Sequence, residues 1–269
     1  MSLRRALACV VLCACVPATD DAEARGAAGF DIVPSATSAG ASFATDDGYQ
    51  ITVDRMVMVL VAATTDSQDY GSLGRVLLGT DRAQVFSRAI PEGPHQVTLG
   101  FTGLYLGYEA KELIARVDGW NSIRPDEQER LTRAADSDRS SNYQGPALLL
   151  TLHADKGDTH LRMQVALGSV SRISGTGRAA TVDVKRNALA ARTADVRPEG
   201  LFADSNGTSS FRSFAEADAS GDGLIVPAEL AAGKITAREA QDAELPSPDR
   251  NTMGLLLARM QTGLLVVRP

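Results

Sequence analysis

Polar and apolar residues alternate at the start of "YQITVDRMVMVLVAA" (49–63), and the stretch then becomes continuously apolar and β-branched. Alternation predicts a strand with one wet face. The unbroken run predicts that the same strand continues into a sheet buried on both sides. "RVLLG", "AQVFSRAI" and "HQVTLGF" read as further strands, separated by Gly and Pro turns such as "PEGP".

The most regular alternation lies in "GPALLLTLHADKGDTHLRMQVALGS". Folding it about Lys156-Gly157 pairs Asp155 with Asp158, His153 with His160, Leu152 with Leu161 and Leu150 with Met163. Leu148, Leu150, Leu152, Leu161, Met163 and Val165 then share one face. Thr151, Arg162, Gln164 and the two His share the other, where only Leu149 is apolar. This predicts an antiparallel hairpin with one buried face. Several such strands without intervening helices predict a mainly β chain built as a β-sandwich. One insert, "RPDEQERLTRAADSD" (124–138), begins with Pro and acids and carries good helix formers. It predicts a helix of two or three turns crossing between strands.

Ahead of the strands, residues 16–42 are rich in Ala, Ser, Thr, Gly and Asp, and "SATSAGAS" has no periodicity. That composition predicts a flexible tether over 15–42, with order beginning near Phe43. The chain start differs again. "MSLRR" is basic and "ALACVVLCACV" is an apolar run too short to span a bilayer. This is the layout of an export signal. Two cleavage patterns compete. "LCAC" ends at Cys15 and resembles the bacterial lipobox, which implies a signal peptide over 1–14 and a lipidated Cys15 that holds the protein to a membrane of the cell envelope. "AEA" (Ala22–Ala24) resembles an ordinary small-x-small site.

The three Cys, Cys9, Cys13 and Cys15, all lie in or at the end of this signal, so a chain lipidated at Cys15 has no disulfide available. The formal charge is -6. Loss of residues 1–14 removes Arg4 and Arg5 and makes it about -8. No basic block exceeds two residues, which argues against a nucleic-acid partner. An acidic exported chain suits divalent cations better than anionic partners.

One acidic stretch has the spacing such a cation needs. In "DASGDGLIVPAE", Asp218, Ser220 and Asp222 stand at positions 1, 3 and 5 of a 12-residue loop, Gly223 at 6, Leu224 at 7 and Glu229 at 12. An EF-hand calcium loop takes oxygens from positions 1, 3, 5, 7, 9 and 12, the seventh through its backbone carbonyl and the twelfth through both carboxylate oxygens. The sixth position is Gly for a sharp turn. Ile225 fills the apolar eighth position. Val226 at the ninth leaves that ligand to a bridging water. Asp47-Gly48 and Asp118-Gly119, set on the same template, put Phe43 and Ile114 at position 1 and fail. "SSFRSFAEA" predicts a short entry helix with Phe211 and Phe214 on one face. Pro227 starts the exit helix. With a neutral Ser at position 3 and no ligand at position 9, the expected dissociation constant is on the order of 10⁻⁵ to 10⁻³ M. A paired second loop is missing: "GKITARE" (233–239) echoes only the latter half of one.

"FAEADASGDGLIVPAEL" resembles the C-terminal EF-hand segment of exported bacterial calcium-binding lipoproteins, and "FATDDGYQITVDRMVMVLV" resembles their opening strands. Together these readings divide the chain into a β-sandwich domain over 43–200, an EF-hand segment over 201–240 and a C-terminal helix over 241–269, and the resemblance implies that the loop follows a β-rich domain. It also implies calcium ion binding as the function and an envelope location, in the outer membrane or periplasm. The alternative is a sandwich that binds a macromolecule or a transition metal, with the calcium loop only clipping the fold. His153 and His160 beside Asp155 and Asp158 form the one transition-metal candidate. No HExxH, GxSxG, phosphate loop or catalytic Cys is present, and no enzyme is expected.

Overall fold

The computed structural model describes residues 25–64, 74–104, 117–133, 145–168 and 178–268. The expected export signal, Cys15 and the "AEA" stretch lie outside the described residues. So do residues 134–138 of the expected crossing helix.

The chain is mainly β. The strands read from the sequence form close to where expected: β3 (Gln50–Thr64), β4 (Arg75–Leu78), β5 (Ala83–Pro91), β6 (Gly93–Phe101), β7 (Pro146–Lys156) and β8 (Thr159–Gly168). β3 alternates in burial up to Met56 and is almost wholly buried beyond it, as its composition requires. It is the centre of a large sheet ordered β11-β8-β7-β3-β6-β9, with β2 (Phe43–Ala44) and β4 also on β3. β9 spans Arg178–Val184 and β11 only Leu224–Ile225. A second sheet is ordered β12-β10-β1-β5, from β1 (Arg25–Pro34), β10 (Leu189–Val196), β12 (Leu265–Val267) and β5. Side chains from both sheets share one core: Phe30 and Ile32 of β1, Val196 of β10, Met58 and Leu60 of β3, Leu150 of β7 and Val165 of β8.

Two boundaries differ from the expectation. The stretch expected as a tether contains β1, whose Phe30 and Ile32 are fully buried. Its small residues are packing residues: a Cβ at Gly29 would lie 2.2 Å from the Val85 carbonyl oxygen, so only Gly lets β1 approach β5 this closely. The expected C-terminal helix over 241–269 is shorter, and its end is a strand. The helix runs over Thr252–Thr262, and β12 then pairs antiparallel with β10. β-branched Val266 and Val267 suit that strand.

The hairpin forms with a shifted register. Lys156 pairs with Thr159, Leu152 with Met163 and Leu150 with Val165. The two-residue turn is therefore Gly157-Asp158, with Gly157 at φ 57° in its first place, a conformation that Lys156 would adopt only under strain. A shift by an even number keeps each residue on its face, so all six residues expected inside are buried. His153 now opposes Arg162, not His160.

Helix α1 (Pro125–Leu131) lies on the opposite face of the large sheet, where Leu131 joins Val57, Val59, Leu149 and Ala166 in a second apolar cluster. Glu127 on this helix is 2% exposed and paired with Arg55, at 2.6 Å from Nε to Oε1 and 2.8 Å from Nη2 to Oε2. A β-bulge between Val53 and Arg55 offsets the register beside this pair. No helix among the described residues is long and apolar enough to cross a membrane.

Candidate functional site

The acidic loop sits between two short helices, α2 (Arg212–Ala215) and α3 (Pro227–Ala232). Four residues cannot sustain a helix alone, so α2 depends on its packing. Phe211 and Phe214 are fully buried, with ring centroids 5.6 Å apart, and each lies 5.4 Å from Phe202. Phe43 and Tyr49 extend the group at 6.0 and 5.2 Å. Four of the chain's seven Phe are thus gathered beneath this segment. The same rings belong to the main core, so residues 201–240 are not a separate unit.

The second support of α2 comes from a residue the calcium template rejects. The Asp47 carboxylate accepts hydrogen bonds from Arg212 N (2.8 Å), Phe211 N (3.0 Å), Ser210 Oγ (2.9 Å) and Thr45 Oγ1 (2.5 Å). It satisfies helix N-terminal donors that Phe211, with no polar side chain, cannot. Burial alone would raise the Asp47 carboxyl. These hydrogen bonds outweigh it and hold the group below its usual range. Asp46 accepts from Ser209 N at 2.7 Å. A capping residue this far away in sequence leaves no local pattern to read.

Within the loop, Asp218 Oδ1 accepts from Gly221 N at 2.9 Å and Ser220 Oγ at 3.2 Å, and its Oδ2 accepts from Gly223 N at 3.0 Å. Asp222 Oδ1 accepts from Leu224 N at 2.8 Å. Glu229 reaches both ends of the loop, accepting from Ser220 N through Oε1 and from Val226 N through Oε2, each at 3.1 Å. The second of these is half of a capping box for α3, and Val226 has no side-chain oxygen to return the bond. Gly223 has φ 80°, as the sixth position requires. A Cβ there would also come within 2.8 Å of the His160 carbonyl oxygen.

That contact marks where the loop docks. Gly223 O accepts from Arg162 N at 2.7 Å, and Leu224 and Ile225 pair in parallel with Arg162 and Met163 of β8. Ile225 is fully buried. The loop thus leans on the edge of the large sheet where a paired EF-hand would lean on its twin. "GKITARE" does other work. Lys234 bridges to Asn251, and Thr236 caps α4 (Ala237–Asp242) with Glu239 in a reciprocal box. An open groove of about 370 Å³ runs from Asp47 and Tyr49 past Lys156 to Arg212 and Asp218. Lys156 lies over the Tyr49 ring at 5.0 Å.

All five residues expected to hold calcium, Asp218, Ser220, Asp222, Leu224 and Glu229, therefore lie on one loop tied by its own hydrogen bonds. Among the described residues, no three His, Cys, Asp or Glu side chains converge closely enough to hold a metal in this conformation. The two His do not face each other, though both approach Asp155: His153 Nε2 lies 4.0 Å from Asp155 Oδ2. His153 Nδ1 lies 2.8 Å from Asp54 Oδ1, and His160 Nδ1 lies 2.7 Å from Asp155 Oδ1. No protein-family model, curated protein or solved structure matches the chain.

Proposed function

We propose that the chain is a calcium-binding protein of the cell envelope, with one ion held by Asp218, Ser220, Asp222, the Leu224 carbonyl and Glu229. The observation that carries this reading is the backbone of the loop. Asp218 at position 1 already gathers the N–H groups of Gly221 and Gly223, Gly223 takes the left-handed turn, and Ile225 is anchored in the core. The first two features also occur in acidic turns; their combination with a core-anchored Ile225 at the eighth position is what favours the calcium loop. Binding then requires the Asp222 and Glu229 carboxylates to close on the ion, exchanging hydrogen bonds to Leu224 N, Ser220 N and Val226 N for metal contacts.

The ion's role in this reading is structural. It fixes the loop between α2 and α3 and fastens β11 to β8, which is the sense in which the site clips the fold. We read the two sheets, with their shared core, as the two layers of a sandwich. We also read the protein as lipid-anchored through Cys15 and as a binding protein without enzymatic activity. The test is a calorimetric calcium titration of the purified chain with thermal unfolding alongside. A dissociation constant on the order of 10⁻⁵ to 10⁻³ M and a calcium-dependent rise in Tm are expected. No heat and no thermal shift at millimolar calcium would refute the reading.

A further inference from the structure

The C-terminal helix α5 (Thr252–Thr262) carries an arginine in an unusual setting. Arg259 is 6% exposed, and its Nη1 has no hydrogen-bond partner. Asp204, Glu239 and Asp242 act on it through space, but none forms an ion pair with it among the described residues. Arg238 takes the Asp204 and Asp242 carboxylates instead, at 3.8 and 3.6 Å. Glu239 is occupied by Ser213 Oγ and by the Thr236 N–H and hydroxyl. A buried guanidinium nitrogen without an acceptor costs free energy, and natural cores rarely keep one.

Arg259 lines a cavity of about 480 Å³, whose wall also carries Asp204, Glu239, Asp242 and Glu244. That volume suits a small ligand. Its charges narrow the choice. A simple anion would satisfy Arg259 but face four carboxylates. A simple cation would suit the carboxylates but leave the guanidinium unpaired. A molecule with both charges answers both, because a carboxylate matches the planar Arg fork and an ammonium group matches acceptor-only carboxylates. We propose that this cavity is a binding site for a small aliphatic zwitterion, its carboxylate held by Arg259 and its ammonium group by Asp204 and Asp242, which give up their long contacts of 3.8 and 3.6 Å with the exposed Arg238. The site lies apart from the calcium loop and does not depend on the calcium reading.

The experiment is an NMR and calorimetric titration of the purified full chain with L-alanine, β-alanine and γ-aminobutyrate. Propionate and propylamine serve as probes with one charge each. At least one zwitterion should bind at millimolar concentration, and the single-charge probes should bind at least about tenfold more weakly. Arg259→Met should abolish zwitterion binding while raising Tm, since it removes a buried unpaired charge from the core. Arg259→Lys keeps the charge but loses the fork, and should weaken binding about tenfold. The proposal fails if no zwitterion binds, if propionate binds as well as the zwitterions do, or if both Arg259 variants bind like the wild type. A fall in Tm with unchanged binding in Arg259→Met would make Arg259 a packing residue only.

Discussion

Replacing Asp47 by Ala tests whether a residue distant in sequence holds the entry helix of the acidic loop. The substitution removes the acceptor for two helix N-terminal N–H groups and two hydroxyls. Loss of an N-cap costs about 0.5–2 kcal/mol, and a hydrogen bond to a charged group is worth about 1.5–3 kcal/mol. Asp47 is only half-buried, so water replaces part of what is lost. The expected cost is about 2 kcal/mol, which lowers Tm by roughly 4–8 °C for a chain of this size. Urea unfolding followed by circular dichroism measures it. Asp46→Ala is the control, since Asp46 accepts from Ser209 alone and should cost less than about 1 kcal/mol. The folded Asp47 carboxyl lies below its ordinary value. Its contribution is therefore complete above that value and is lost as pH falls through the folded pKa, from about pH 4 downward. Asp47→Ala should flatten that part of the stability profile. An Asp47→Ala variant within about 0.5 kcal/mol of wild type, or indistinguishable from Asp46→Ala, would show that the ring cluster alone holds the helix.

Glu229→Ala should remove the calcium-dependent rise in Tm. In the wild type that rise corresponds to roughly 2.7 kcal/mol at calcium a hundredfold above the dissociation constant. Ser220→Asp should tighten calorimetric calcium binding by adding a carboxylate. Glu127→Ala should cost about 1.5–3 kcal/mol in chemical unfolding, because it removes two charge-assisted hydrogen bonds to Arg55, whose guanidinium keeps access to water. Cys15→Ala should abolish incorporation of labelled palmitate, and unchanged incorporation would remove the lipid anchor from the account.

The strands with strong apolar contrast were legible in the sequence, since period two puts Leu148, Leu150 and Leu152 on one face whatever turn closes the hairpin. The turn itself was misplaced because its position depends on which residue takes positive φ, and only Gly157 does so without cost. β1 was missed because Ala and Gly fill its first half and only Phe30 and Ile32 give it apolar contrast, while the value of Gly29 lies in how closely it lets β5 approach. The acidic loop stood out because Asp218, Ser220, Asp222, Gly223 and Glu229 follow a fixed spacing of residue types, and Gly223 does take the positive φ that the spacing expects. Its surroundings did not. Asp47, the β8 edge and the Phe202 ring reach it from distant parts of the chain, and proximity of that kind leaves no periodicity. Arg259 gave no signal either, since in sequence it is one basic residue on an amphipathic helix.

The smaller sheet has a consequence for how the molecule comes to be folded. It holds the first and last strands of the described chain, β1 and β12, joined through β10, with β5 on the far edge of β1. The β1–β10 pairing is parallel and closes a very long loop, the kind of contact that slows folding. No nascent stretch can complete this sheet until β12 has emerged, so the edge of β10 at Ala194–Val196 stays open to other strands until then.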